Sequence, residues 1–447
     1  MSEASVPIPS EPHWLLPSER MRLVCDRVAG VLADVRPNEG FGVLLLSFNS
    51  FVLVSVYYIL KPVRDALILE GGAPENRSYA AGLQALVLLL LVPAYGKMAA
   101  AWLRTRLIAT VTLFSVSNLA LFALVDSAGF PIAFSYFLWL GVFNVVIMSQ
   151  FWSFANDVYN EDQGKRLFAM IGLGGALGGW LGARFSGVLL PVAGVTGVLA
   201  AGAVMLLMSL LVLLWVHEER CVFCSDNRRI REQKIGGGDG FRLVISSRYL
   251  LCIAGLVFLV NLVNSNGEFV LGSFVASEAA RLPATERQNY IAGFYSQYYF
   301  WANGLGLVLQ LVVVAPLLKR FGPRLALFLL PAIALIGYAS LLVFPILSVV
   351  QSVKTVENAT DYSVQNTARQ ALFLITSRDV KYQAKAAVDT FFTRTGDVAQ
   401  AALVAAGTLL SFGIRHFAML NIVFAAAWLV VVYLIQQEHR RMTARTG

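Results

Sequence analysis

Lys354-Thr355-Val356-Glu357-Asn358-Ala359-Thr360-Asp361-Tyr362-Ser363-Val364-Gln365 lies inside Pro345 to Phe412, a stretch with the length expected of two membrane spans. Lys354, Glu357, Asp361, Arg369, Lys385, Asp389, Arg394 and Asp397 all fall within those spans or at their edges. A charge facing lipid near the bilayer centre costs roughly 2.5 to 3.5 kcal/mol even on lenient insertion scales. These side chains are therefore expected to face a wet interior, as in a carrier with a polar path. The competing structural reading is a set of buried ion pairs that lock helices together.

Composition extends the membrane reading to the whole chain, because 57% of residues are hydrophobic and only 14% charged, against about 25% charged in soluble domains. Apolar runs of about 20 residues, enough to cross ~30 Å of hydrocarbon, recur twelve times. The expected spans are 41–60, 80–97, 107–125, 131–153, 167–190, 196–216, 249–275, 290–314, 324–344, 346–373, 384–412 and 416–436. With both termini in the cytoplasm, the inner segments hold 25 of the 35 Lys and Arg residues and the outer segments six. Arg184, Lys354, Arg369 and Arg394 lie within spans. That asymmetry follows the positive-inside rule, so the net charge of +8 describes orientation in a lipid bilayer rather than binding to a nucleic acid polymer.

Residues 1–40 lack the continuous apolar core of a signal peptide. Met21, Val24, Val28, Val31 and Val35 recur at helical spacing among Arg20, Arg22 and Arg27, as in an interfacial amphipathic helix. Four cysteines, at 25, 221, 224 and 252, make no disulfide framework. Cys221 and Cys224 form a lone CxxC with His217 nearby, a weak zinc signal, and no metal or cofactor is expected. No activated nucleophile or phosphate loop suggests an enzyme.

A polar connector at 217–248, containing Gly236, Gly237 and Gly238, separates two blocks of six spans, 41–216 and 249–436, with a tail at 437–447. Features recur at an offset of about 220 residues. Lys97 to Arg106 corresponds to Lys319 to Arg324, and Gln163-Gly164-Lys165 to Gln383-Ala384-Lys385. Together these suggest an all-α membrane protein of two parallel six-helix repeats, the major facilitator architecture, with a site near the midplane between them. Gly174, Gly178 and Gly182 form a small-xxx-small stripe suited to close helix packing.

The candidate site residues follow from where charges interrupt spans. Pro62 is expected to kink or break span one beside Lys61, Arg64 and Asp65. In span ten, Lys354, Glu357, Asp361 and Gln365 share one helical face. In span eleven, Lys385 and Asp389 are four apart and Arg394 and Asp397 three apart. Lys385 and Arg394 suit phosphate or carboxylate contact. Span seven carries Asn261, Asn264, Ser265, Asn266 and Glu268. Glu268 has three open readings: substrate contact, proton site or half of a buried pair.

Phe151-Trp152-Ser153-Phe154-Ala155-Asn156, then Lys165-Arg166 and Gly172-Leu173-Gly174, resembles the FWxFAN, KR and GLG segment of the nucleotide (ATP/ADP) translocases of plastids and intracellular bacteria. Lys385-Ala386-Ala387-Val388-Asp389 with Arg394 and Gly396 is similar to their helix-eleven segment, and Tyr57 to Leu67 to their first-helix signature. The resemblance implies a twelve-helix nucleotide carrier with a central site of basic residues and two glutamates. It places Arg64 at the family's first-helix lysine and Lys385 at its helix-eleven lysine. Asn156, Lys165 and Arg166 fall in matched segments. The two family glutamates are Gln163 and Asn264 here, with Glu268 one turn after Asn264.

The leading expectation is thus a secondary carrier of a small nucleotide-like or phosphorylated anion, with ATP/ADP as the candidate the resemblance names. It is expected to be a monomer in a bacterial inner membrane, working by alternating access. One alternative is a proton-coupled carrier of another organic anion, with Glu268, Asp361 and Asp389 as coupling groups. The other is a non-transporting membrane scaffold.

Overall fold

Apolar runs of this length leave the backbone one economical solution in lipid, the helix, which satisfies its own N–H and C=O groups. The computed structural model describes residues 19–30, 34–223, 240–373 and 385–446, and every regular element among them is a helix. The first set is α1 (Glu19–Gly30), α2 (Gly40–Leu69), α3 (Glu75–Ala101), α4 (Arg104–Ser127), α5 (Ala133–Val158) and α6 (Glu161–Phe223). The second set is α7 (Gly240–Ser246), α8 (Arg248–Ala280), α9 (Ala284–Val308), α10 (Val314–Ala326), α11 (Leu329–Val343), α12 (Leu347–Thr360), α13 (Asn366–Leu372), α14 (Lys385–Ala387), α15 (Thr393–Leu409) and α16 (Ile414–Thr446). π-helical turns at Leu309–Val313, Asp361–Gln365 and Val388–Phe392 join α9 to α10, α12 to α13 and α14 to α15.

Among the described residues, eight helices are long and apolar enough to cross a membrane, rather than the expected twelve. Two physical reasons account for the difference. α6 contains both the fifth and sixth expected spans, broken at Gly194, whose φ of 63° lies in the left-handed region that favours glycine. The ninth, tenth and eleventh expected spans fall on α11, α12–α13 and α14–α15, which are short or divided by π turns. The connector expected at 217–248 is helical at both ends, α6 running to Phe223 and α7 starting at Gly240. Cys224 and Gly236 to Gly238 lie outside the described residues.

Pairing of helices follows a reciprocal pattern. α3 packs on α15, and the first part of α6 packs on α9. The second span of one set therefore meets the fifth of the other, in both directions, as two repeats about an axis along the membrane normal require. Within the first set, α2 lies close against α6. A Cβ on Gly174 or Gly178 would collide with the Ser47 or Phe51 carbonyl oxygen. Ser55 Oγ donates to the Gly178 carbonyl at 3.2 Å across the same contact.

Two local expectations are corrected. α2 runs through Pro62 without interruption, because missing one backbone donor in a helix packed on several sides does not by itself open the chain. The face shared by Lys354, Glu357, Asp361 and Gln365 is not continuous. The π turn beginning at Asp361 inserts extra residues per turn, so the regular spacing that relates Gln365 to Lys354, Glu357 and Asp361 does not carry through it.

α1 is fastened to the start of α2 by Asp26, whose carboxylate accepts from the backbone N–H of Asn38 at 2.9 Å and of Gly40 at 2.8 Å. Its Met21, Leu23, Val24 and Val28 remain exposed, the apolar stripe of an interfacial helix.

Candidate functional site

Charges from four helices, α2, α3, α8 and α12, converge where the two sets meet. The last turns of α2 supply Lys61, Arg64 and Asp65, and Asp65 is fully buried. A carboxylate held there needs several donors, and it has them. Arg64 Nη2 approaches at 2.7 Å, Arg77 Nε at 3.3 Å and the Tyr299 hydroxyl at 2.6 Å. Arg77 then bridges to the second set, its Nη2 donating to Glu268 Oε2 at 2.8 Å. Glu268 also accepts from the Tyr298 hydroxyl at 2.9 Å and Asn358 Nδ2 at 3.2 Å. Lys354 Nζ lies 3.8 Å from Glu268 and 2.9 Å from Glu357, and donates to Asn264 Oδ1 at 2.6 Å. Tyr338 donates to Glu357 at 3.1 Å.

Lys61 differs from the other cations. Its Nζ sits over the ring of Tyr299 at 4.0 Å, with Tyr58 at 5.2 Å and Tyr57 at 5.5 Å. Among the described residues no carboxylate lies within ion-pairing distance of it. Ring faces attract an ammonium without neutralising it. The cluster thus holds four cations (Lys61, Arg64, Arg77, Lys354) against three carboxylates (Asp65, Glu268, Glu357).

Of three cavities, the third is lined by charges of this cluster. One of 630 Å³ lies between the sets, lined by Tyr58, Gly172, Gly179, Asn303, Gln310 and Tyr362 among others. A second of 360 Å³, within the second set, meets Asn261, Asp361, Gln365, Arg369 and Asp389. A third of 150 Å³ is lined by Arg64, Arg77, Ser265, Glu268 and Asp397.

The structure brings together only some of the candidates. Lys61, Arg64, Asp65, Asn264, Glu268, Lys354 and Glu357 form the central cluster. Asp397 reaches it through the third cavity, accepting from Ser265 at 2.7 Å and pairing with Arg394 at 3.6 Å. Asp389 pairs with Arg369 at 3.6 Å rather than with Lys385, the π turn after Ala387 having rotated it off that register. Lys385 lies 6.0 Å from the Phe373 ring, on α14, which packs against α7. Asn156 and Lys165 are exposed.

Gln163 and Arg166 form a separate latch with Glu39 at the start of α2. Gln163 Nε2 donates to Glu39 at 3.0 Å, and Arg166 reaches it at 3.0 and 3.1 Å. Burial pushes the Glu39 carboxyl up, but the bonds from Arg166 and Gln163 prevail and bring it down to about 2. Glu39 thus lies beside Gln163, and Glu268 and Glu357 lie around the lysine bound to Asn264.

Arg77, Asn358, Tyr298 and Tyr299 were not among the candidates, whereas Tyr295 was an aromatic expected near the site. Arg77 counts as a loop residue when span two starts at 80, but α3 starts at Glu75 and carries it into the interior. The spacing of three and four between the tyrosines was the available signal that they share a face.

Solved transporters share this arrangement of helices. The chain superposes on a bacterial homologue of the human lysosomal transporter Spinster, in an inward-facing, unoccupied conformation, with a TM-score of 0.63 and 13% identity, over 90% of this chain and 98% of that one. The nucleoside transporter NupG gives a TM-score of 0.63 and 14% identity, over 89% and 99%. The POT family transporter PepTSo gives 0.62 and 12%, over 90% and 98%. These show the fold, the major facilitator type. No curated protein sequence matches the chain. A family model for TLC ATP/ADP transporters matches residues 129–357, just over half of it. On that match, together with the fold, this multi-pass secondary transporter belongs to the TLC ATP/ADP transporter family.

Proposed function

We propose that the protein carries a nucleotide-like, phosphorylated anion by exchange, through alternating access of the two helix sets. The observation that supports this most is the imbalance at the centre, four buried cations against three carboxylates, with Lys61 seated over the ring of Tyr299 and, among the described residues, in no direct ion pair. A cation buried without a carboxylate partner favours an arriving anion. In the empty carrier Asp65, Glu268 and Glu357 restrain the remaining cations. An incoming phosphate competes for Arg64 and Lys61, and Arg77 and Lys354 keep the displaced carboxylates paired. The 630 Å³ cavity is within the size range of small-molecule sites, and Tyr58 and Tyr362 on its wall offer faces for a base.

Asn156, Lys165, Lys385 and Arg394 remain candidates for contacts made elsewhere in the cycle, since alternating access moves one set against the other. The membrane proposed for it is a bacterial inner membrane, and the distribution of Lys and Arg supports both termini lying in the cytoplasm. The test is uptake of labelled nucleotide by proteoliposomes preloaded with unlabelled nucleotide, with Lys61→Met expected to reduce it sharply at low nucleotide concentration. Absence of exchange with every nucleotide and phosphate ester tried overturns the proposal.

A further inference from the structure

α2 begins without a cap of its own. Glu39, at its N-cap position, makes no capping bond from its side chain, and the first amides of a helix need acceptors from elsewhere. α1 supplies one. Asp26 accepts from the backbone N–H of Asn38 at 2.9 Å and of Gly40 at 2.8 Å. The approach is close, since a Cβ on Gly40 would lie 2.6 Å from the Asp26 backbone. The link between the two helices is also tied to the start of α6, Arg36 pairing with Asp162 at 3.2 Å and Arg166 donating to the Asp34 carbonyl. α1 is therefore fixed at the level where the apolar run of α2 starts, the edge of the hydrocarbon layer.

The other face of α1 carries two chemistries. Ala29 on the inner side is fully buried, whereas Met21, Leu23, Val24 and Val28 are 46% to 61% exposed. Arg20 and Arg27 are exposed as well, two turns apart along the edge of the stripe made by Met21, Val24 and Val28. No carboxylate among the described residues pairs with either, and Asp26 is directed at the amides of α2. Apolar side chains edged by unneutralised guanidiniums match a leaflet with anionic headgroups, which offers acyl chains to the one and phosphate oxygens to the other. We propose that α1 docks on anionic phospholipid, and that seating on it holds Asp26 against the start of α2. Headgroup charge is in this way connected to the helix that carries Lys61, Arg64 and Asp65 in its last turns.

Backbone hydrogen exchange of the full chain is compared in nanodiscs of phosphatidylcholine with and without phosphatidylglycerol. The anionic lipid is expected to slow exchange along Glu19–Gly30 by about tenfold, since each arginine near such a surface adds to the attraction. The amides of Asn38 and Gly40 slow with it. The double variant Arg20→Gln with Arg27→Gln loses the lipid-dependent slowing and keeps wild-type exchange in phosphatidylcholine, and high salt acts in the same direction by screening. Asp26→Ala keeps the slowing of α1 and releases Asn38 and Gly40 from it. Equal exchange in the two lipids, or a double variant that still responds, overturns the proposal. So does slowing by dissolved glycerol phosphate in phosphatidylcholine alone, which marks a site for free phosphate instead of a membrane. Slowing of α1 without change at Asn38 and Gly40 refutes the hold on α2. Each readout is independent of what the protein transports.

Discussion

Arg77 Nη2 donates to Glu268 Oε2 at 2.8 Å across the boundary between the two helix sets, while the same guanidinium reaches Asp65 at 3.3 Å. One side chain therefore ties the end of α2, the start of α3 and the middle of α8 together.

Removing one partner of a buried pair leaves an uncompensated charge, at a cost of about 3–5 kcal/mol. Arg77→Ala is expected to lower stability by that order, read as thermal unfolding of the solubilised protein, and to stop transport. The double variant Arg77→Met with Glu268→Leu recovers much of the stability without recovering transport. Full stability in Arg77→Ala would show that the bridge holds nothing.

Lys61 is in no direct ion pair among the described residues, so Lys61→Met disturbs folding less than Arg77→Ala and probes substrate binding. Loss of a charge-assisted hydrogen bond, about 1.5–3 kcal/mol, weakens apparent affinity for an anionic substrate by roughly ten- to a hundredfold. The unfolding temperature stays near the wild-type value. Uptake kinetics at varied substrate concentration provide the check.

The contact of α2 with α6 is sterically closed at Gly178 and open at Gly172, where an added Cβ meets nothing within 4 Å. Gly178→Val is expected to destabilise by at least about 1–3 kcal/mol through overpacking. Gly172→Ala is expected to be close to neutral. Yields of monodisperse protein and unfolding temperatures of the two variants settle the contrast.

Glu39 titrates at about 2 in the folded protein, below its ordinary 4.5. A depressed carboxylate contributes stability that is complete above the unfolded value and is lost as pH falls through the folded one. The difference in unfolding temperature between wild type and Glu39→Gln should therefore be constant from about pH 5 to 8. It narrows only between 4.5 and about 2. A difference that changes around neutrality would mean that Glu39 is not held by Arg166 and Gln163.

The central cluster was half legible in advance. Lys61, Arg64, Asp65, Glu268, Lys354 and Glu357 stand out because each interrupts or ends an apolar run, and lipid does not tolerate that without a reason. Arg77 did not stand out, since a basic residue three positions into a helix is indistinguishable from one in a loop until the helix start is known. Lys385 stood out by resemblance, yet its neighbour in space is Phe373 rather than Glu268.

The amino-acid sequence by itself determined that the chain is a bundle of membrane helices with charges kept away from lipid, because hydrophobic run length and the penalty for exposed charge act locally along the chain. Tertiary structure alone decided which of those charges meet. The π turns at Asp361–Gln365 and Val388–Phe392 turn side chains off the faces that regular spacing assigns them. The pairing of α3 with α15 and of α6 with α9 brings distant residues into hydrogen-bond contact, as with Gln400 and Ser78 or Asn303 and Gly179, and the contact of α3 with α8 does the same for Arg77 and Glu268. Neither helical period nor hydropathy contains that information, since it depends on how two separately formed surfaces fit.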